Sequence, residues 1–191
     1  LYDNDEFAYR MERITTNNWK VYMGLGEDEW FWISEEKVTE VAKQKNDALM
    51  QSYVHQLARY LKVCDDVQGD QWNYPTKEEL AQRRTTLEAI RAYANTKLRT
   101  RLRSQHGLLY MRANMLLGNH ADNVKFWEET ASQYINSVYK DMMYNIYAGA
   151  LYKTGRTDEG VDIFVEQGDY RSLMTIYYKR RSYAAINEVY N

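Results

Sequence analysis

The feature that most constrains this fold is the scarcity of residues that interrupt helices. The 191-residue chain contains only one proline and nine glycines, and proline is the strongest helix breaker. Apolar residues recur at spacings of three and four along most of the chain, which places them on one face of a helix. No segment shows a convincing two-residue alternation of the kind typical of strands. The sequence therefore predicts an all-α fold.

Several local signals predict where these helices begin and end. Ser34 precedes two glutamates, and Thr76 is followed three residues later by Glu79, which is the pattern of a capping box. Gly155 is expected to adopt a left-handed conformation after the end of a helix. From residue 97 to Leu117 the pattern predicts one continuous helix, with these residues on one side: Leu98, Leu102, Leu109, Ala113 and Leu116.

A repeat organises the second half of the chain. Three pairs of residues are each separated by 37 positions: Gly118 and Gly155, Val124 and Val161, and Trp127 and Phe164. A shorter third unit follows. Each unit reads as a helix, a turn with glycine and a second helix, and one such pair cannot bury its apolar stripe alone. We therefore expect an α-α superhelix of stacked antiparallel helix pairs.

This repeat resembles the tetratricopeptide repeat, whose unit is a helix pair of about 34 residues with small and aromatic residues at fixed positions. The second unit reads Tyr144-x2-Tyr147-Ala148-x2-Leu151 and then Gly160-x3-Phe164. The first reads Gly107-x2-Tyr110-Met111-x2-Asn114 and then Asn123-x3-Trp127. Ala148 and Gly160 are the small residues expected where the two helices touch, and Met111 and Asn123 depart from the family pattern.

The resemblance covers about residues 104–191 and divides the chain into two parts. Residues 1–75 form an aromatic-rich helical segment, and residues 76–191 form the tetratricopeptide-like repeats, within one continuous superhelical domain. We interpret the chain as a fragment of a longer protein of bacterial type, because it begins with leucine and not methionine.

The resemblance implies a concave surface that binds a protein or peptide partner. Positions on the first helices of the repeats make Tyr110, Asn114, Tyr144 and Tyr147 the candidate contacts. A scaffold that only spaces other domains is an alternative interpretation.

No catalytic, metal or cofactor motif is evident. His55, His106 and His120 stand apart from one another and from Cys64, so none has the spacing of metal ligands. Cys64 lies on an apolar helical stripe and is expected to be a buried, inert thiol. The sequence contains no glycine-rich phosphate-binding loop. These observations predict a non-enzymatic protein without cofactors.

Charge is distributed unevenly along the chain. Residues 1–75 contain 8 Lys/Arg and 14 Asp/Glu, whereas residues 76–106 contain 8 and 3. On the predicted helix the basic run "KLRTRLRSQH" spreads around the axis, whereas nucleic-acid binding requires a concentrated patch. We therefore expect no nucleic-acid partner, and we expect the basic segment to neutralise the acidic one.

A cluster of aromatic residues supports an alternative function. Trp19, Tyr22, Trp30 and Trp32 lie around a glycine turn, and aromatic platforms of this kind bind glycans or other small ligands. The alternative is that these rings shield the open end of the superhelix. No run of apolar residues is long enough to cross a membrane, no signal peptide is visible, and the compartment stays open.

Overall fold

The fold is all-α, as the sequence predicts. The computed structural model describes residues 22–24, 34–68, 74–134 and 139–190, and within these ranges it contains helices and no strand. The helices are α1 (Glu35–Gln44), α2 (Ala48–Gln68), α3 (Lys77–Thr96), α4 (Arg103–Leu117), α5 (His120–Glu129), α6 (Lys140–Lys153), α7 (Thr157–Glu166) and α8 (Tyr170–Tyr190). A short 3₁₀ turn, Ala131–Tyr134, follows α5. No described helix is both long and apolar enough to span a bilayer.

The two predicted helix starts are confirmed. The Ser34 hydroxyl accepts a hydrogen bond from the Lys37 amide at 3.2 Å. At α3, the Thr76 hydroxyl accepts from the Glu79 amide at 3.1 Å, and the Glu79 carboxylate accepts from the Thr76 amide at 2.7 Å. These bonds satisfy amides that a helix leaves without internal partners. The bonds from Thr76 also hold the pKa of Glu79 below its usual range.

Equivalent helix ends reproduce the 37-residue repeat at the level of the backbone. Gly118 and Gly155 both have positive φ, 78° and 94°. In each turn the next amide bonds back five residues, from Asn119 to the Asn114 carbonyl and from Arg156 to the Leu151 carbonyl. This is the bond of a Schellman motif, in which glycine takes the left-handed conformation at low cost. Both turns fold consecutive helices back on each other.

The prediction of one helix from residue 97 to Leu117 is wrong. α3 ends at Thr96, residues 97–102 form turns, and α4 begins at Arg103. The Thr96 and Thr100 hydroxyls donate to the carbonyls three residues earlier, each at 2.7 Å. The chain reverses within these turns, and α3 and α4 pack against each other on either side of them.

The core consists of two clusters that meet at α4. Cluster one joins α1, α2 and α3 to Leu109 and Ala113 of α4. Cluster two joins α5, α6, α7 and α8 to Leu108 and Met111 of the same helix. Tyr110 lies partly buried against both clusters. Helix α4 is therefore covered on opposite sides, and it also contacts α6 directly.

The close approach predicted for Ala148 and Gly160 is present between α6 and α7. A Cβ atom added to Gly160 would lie 2.5 Å from the Ala148 carbonyl oxygen. In the preceding unit the equivalent residue is Asn123, whose side-chain amide donates to the Met111 carbonyl at 2.8 Å. Because a side chain fills the space between these two backbones, α4 and α5 cannot approach as closely as α6 and α7.

Replacing Gly160 with alanine should therefore destabilise the protein. The new methyl group has to push α6 and α7 apart, and overpacking of this kind costs about 1–3 kcal/mol. Gly149→Ala on α6 is the matched control, because its added Cβ meets no atom closer than 4.0 Å. That control should be stabilised by about 0.5–1 kcal/mol through better helix propensity. Urea unfolding followed by circular dichroism measures both changes, and equal free energies for the two variants would contradict the close approach.

Candidate functional site

The predicted partner contacts are largely enclosed by neighbouring helices. Tyr147 is buried and Tyr144 is half-buried. Both rings stack with Trp127, at centroid distances of 5.6 and 5.2 Å. The Tyr147 hydroxyl donates to Glu128 at 3.0 Å, and burial followed by that bond raises the pKa of Tyr147 to about 12. These tyrosines hold α5 against α6.

Asn114 is fully buried within a polar network that joins three helices. Its side-chain oxygen Oδ1 accepts a hydrogen bond from Arg91 of α3 at 2.6 Å. Its side-chain nitrogen Nδ2 donates to the side-chain oxygen of Asn123 of α5 at 3.1 Å. Arg91 also forms an ion pair with Asp122 at 2.5 Å, and its guanidinium lies 5.5 Å from the Tyr110 ring centroid. In this conformation Asn114 contacts no solvent, and its polar atoms already have partners.

The tryptophans of the predicted glycan site, Trp19, Trp30 and Trp32, lie outside the described residues, so the glycan hypothesis stays a prediction. Tyr22 is described, and it is half-buried against cluster one. Its hydroxyl donates to Asp47 at 3.0 Å, and the Lys45 ammonium lies 4.6 Å from its ring centroid. Burial and the Asp47 carboxylate raise the pKa of Tyr22 to about 12. Tyr22 therefore attaches residues 22–24 to the turn between α1 and α2.

His106 is fully buried in cluster one, between the rings of Tyr53 and Tyr93. Its Nδ1 lies 2.8 Å from the Leu102 carbonyl oxygen, which can only accept a hydrogen bond, so Nδ1 carries the proton. Its Nε2 has no hydrogen-bond partner among the described residues. Burial lowers the pKa of His106, because a charged ring there would be poorly solvated.

The described part of the chain contains no group of three potential metal ligands. Cys64 is half-buried against cluster one, less enclosed than the sequence predicts. Neither finding points to a reaction centre among the described residues.

Among the described residues, a group of exposed apolar side chains lies together on α8, and none of them is a site residue predicted from the sequence. We define the α8 outer face as Tyr170, Met174, Tyr177 and Tyr178, each at least 48% exposed. Their spacing of four, three and one places them on one side of the helix. The adjacent stripe, Leu173 and Ile176, packs into cluster two. Thus α8 carries two apolar stripes and buries one of them.

A shallow groove lies on another flank of α8, and its described lining contains none of the four residues of the outer face. It has a volume of about 240 Å³ and lies between α6, α7 and α8, with Phe164 and Ile176 in its lining. Its rim carries Lys153, Arg171 and Lys179, and no carboxylate is among its described lining residues. On α8, Arg171 lies beside the outer face, whereas Lys179 projects from another side of the helix.

Together, the fold and this surface define an all-α protein of packed helix pairs with an exposed apolar helix face near its C-terminal end. In comparisons with known proteins, no family model matches the chain, and neither a curated protein nor a solved structure matches it.

Removing the buried amide of Asn123 tests the polar network. Asn123→Ala leaves the Met111 carbonyl and the Asn114 amide without their partners, and each such buried group costs about 1–3 kcal/mol. We expect a loss in that range in urea unfolding. Asn119→Ala is the control, because the Asn119 side chain forms no capping bond. Equal stability of the two variants would show that the network contributes nothing.

The stability of the protein should also depend on His106 in mildly acidic solution. The unfolded histidine binds a proton near pH 6.5, whereas the folded one does so only at lower pH. The contribution of the neutral His106 ring to the unfolding free energy is therefore complete above about pH 6.5. It is lost as the pH falls below that value. His106→Phe should reduce the pH slope of the unfolding free energy between pH 6.5 and 5, by up to about 1.4 kcal/mol per pH unit.

His120 contributes in the same direction, because burial and Lys153 lower its pKa. The comparison is therefore made in a His120→Gln background. An unchanged slope after His106→Phe would contradict the assignment of a neutral buried ring.

Proposed function

We propose that this chain is a non-enzymatic, tetratricopeptide-like module that binds a protein partner through the α8 outer face. The partner presents an amphipathic helix that carries acidic residues beside its apolar stripe. The observation that carries the proposal is the second, exposed apolar stripe of α8. A helix with so wide an apolar surface is typical of an element that more than one neighbour covers.

The packing of the other helices supports a helix as the occupant. Along the described chain, consecutive helices bury their apolar stripes against one another. In a stack of this kind, an exposed apolar stripe such as that of α8 is a surface on which a further helix can pack. Tyrosine is also common at interfaces, because its ring contributes apolar contact and its hydroxyl a polar one.

Charge complementarity supports acidic residues on the partner. Arg171 borders the face, and its side chain is exposed. The nearby carboxylate of Asp169 is engaged by the Ser172 amide and hydroxyl at 3.1 and 2.7 Å. Glutamates beside the apolar stripe of a partner helix would therefore meet this basic group and would speed association.

Two features support the tetratricopeptide-like interpretation. The Gly160 contact with Ala148 and the repeated turns at Gly118 and Gly155 are arrangements expected of such helix pairs. In the first repeat unit, Met111 and Asn123 stand where the family pattern has small residues. The hydrogen bond between them accounts for this departure, because it replaces close packing with a polar contact.

A designed peptide tests the proposal. The probe is a labelled helix of about 20 residues, with leucines at i, i+3, i+4 and i+7 and glutamates beside them. We expect saturable binding in fluorescence anisotropy and weaker binding of the same peptide with lysines in place of glutamates. The double variant Tyr170→Ser/Tyr177→Ser should bind at least about tenfold more weakly, because it removes two exposed aromatic anchors.

Tyr74→Ser is the matched control, because Tyr74 is 91% exposed and lies before α3. Its affinity should equal that of the unchanged protein. Equal weakening by both tyrosine changes, or no binding at all, would refute the proposal. Sedimentation that shows a dimer sensitive to the double variant would assign the face to a second copy of the chain instead.

A further inference from the structure

The turn between α3 and α4 borders a cavity with a volume of about 1040 Å³. The turn contributes Arg99 and Arg101, and the first residue of α4 contributes Arg103. Thr130 and Gln133, after α5, form the other side. Three guanidinium groups thus line one concave surface, and none of its described lining residues carries a carboxylate.

An ion pair fixes the position of this turn. The Arg101 guanidinium lies 2.5 Å from the Asp47 carboxylate, which also accepts from Tyr22 and from the Met50 amide. Burial raises the pKa of Asp47, but these hydrogen bonds outweigh it and hold the pKa below its usual range. Asp47 therefore stays ionised near neutral pH and anchors Arg101 against the α1–α2 turn.

Arg99 has no carboxylate partner among the described residues, and its side chain is exposed at the cavity. Arg103 adds a positive charge at the first turn of α4, where the helix dipole is already positive. Leu102 occupies the capping position and offers no side-chain acceptor to the first amides. By contrast, α3 and α7 begin with two acidic residues each. Because Asp47 offsets the charge of Arg101, Arg99 and the first turn of α4 are the features that favour an anion at the cavity.

The lining chemistry narrows the class of that anion. Guanidinium groups bind phosphate oxygens in pairs, and the amides of Asn95 and Gln133 are further donors at the lining. The Thr96 and Thr100 hydroxyls donate to backbone carbonyls and are not free to donate to a ligand. No aromatic ring is among the described lining residues, although single-stranded nucleic acids depend on such rings for base stacking.

We propose that this cavity binds a small ligand that carries two or more phosphate groups. The volume is at the upper end of the range for small-molecule sites, which leaves room for several hydrated phosphates. The site is separate from the α8 outer face, because none of its lining residues belongs to α6, α7 or α8. It therefore does not depend on the proposed protein partner.

Calorimetric titration of the full chain with inorganic tripolyphosphate at low salt tests the site. We expect saturable binding with one ligand per chain. Arg99→Gln should weaken it at least about tenfold, because it removes a guanidinium from the lining. Arg84→Gln is the matched control, since it removes the same charge from an exposed position on α3 where the pair with Glu88 is local. Its affinity should change less than about twofold.

Three results would overturn the proposal. The first is the absence of saturable binding to the unchanged protein. The second is equal weakening by Arg99→Gln and Arg84→Gln, which would indicate a diffuse effect of net charge. The third is tighter binding of a single-stranded oligonucleotide than of tripolyphosphate, with the same loss on Arg99→Gln, which would replace the small ligand with a nucleic acid.

Discussion

The burial of α4 on opposite sides is the constraint on which the described structure depends. Leu109 and Ala113 complete cluster one, and Leu108 and Met111 complete cluster two. Asn114 lies within the buried part of this helix, so its polar groups need partners inside the protein. Asn114 finds them in Arg91 and Asn123. The network therefore lets one helix close two cores, and it links α3, α4 and α5 across the boundary between them.

Charge pairs connect segments that are far apart in sequence. The acidic early segment and the basic middle segment meet at Asp47 and Arg101, which is one instance of the predicted neutralisation. Other basic residues pair elsewhere: Arg91 with Asp122, and Arg156 with Glu128. These partly exposed pairs contribute little stability individually. Their effect is to fix which surfaces face each other, and they leave Arg99 without a described carboxylate beside the cavity.

Local features of this fold were predictable from the sequence, whereas features set by chain reversal were not. The capping box of Thr76 and Glu79 and the turn at Gly155 depend on neighbouring residues, so their patterns were sufficient. Leu98 and Leu102 have helical spacing, yet they pack against different clusters because the chain turns between them. The cavity arises from that same turn. Leu116, placed on the predicted stripe with Leu109 and Ala113, is exposed, whereas those two residues are buried.

The candidate binding residues likewise separate into features that local spacing predicts and features that contacts between distant segments decide. Spacing alone placed Asn114 on the first helix of a repeat, but its burial depends on Arg91, 23 positions earlier. In the repeat alignment Asn123 takes the position of Gly160. That departure from a small residue is the sequence feature that could have indicated the Asn123 hydrogen bond to Met111 in the first unit. The two stripes of α8 are visible as Leu173 and Ile176 beside Tyr170, Met174 and Tyr177. Which stripe becomes buried is decided by α6 and α7, and periodicity contains no information about them.

The most direct test of the central role of α4 is native-state hydrogen exchange of the backbone amides. If α4 closes both clusters, the most protected amides of α2 and of α6 should exchange with the same opening free energy, equal to that of global unfolding. Protection of α6 that persists after α2 has opened, or the reverse, would show two independent cores and contradict this account.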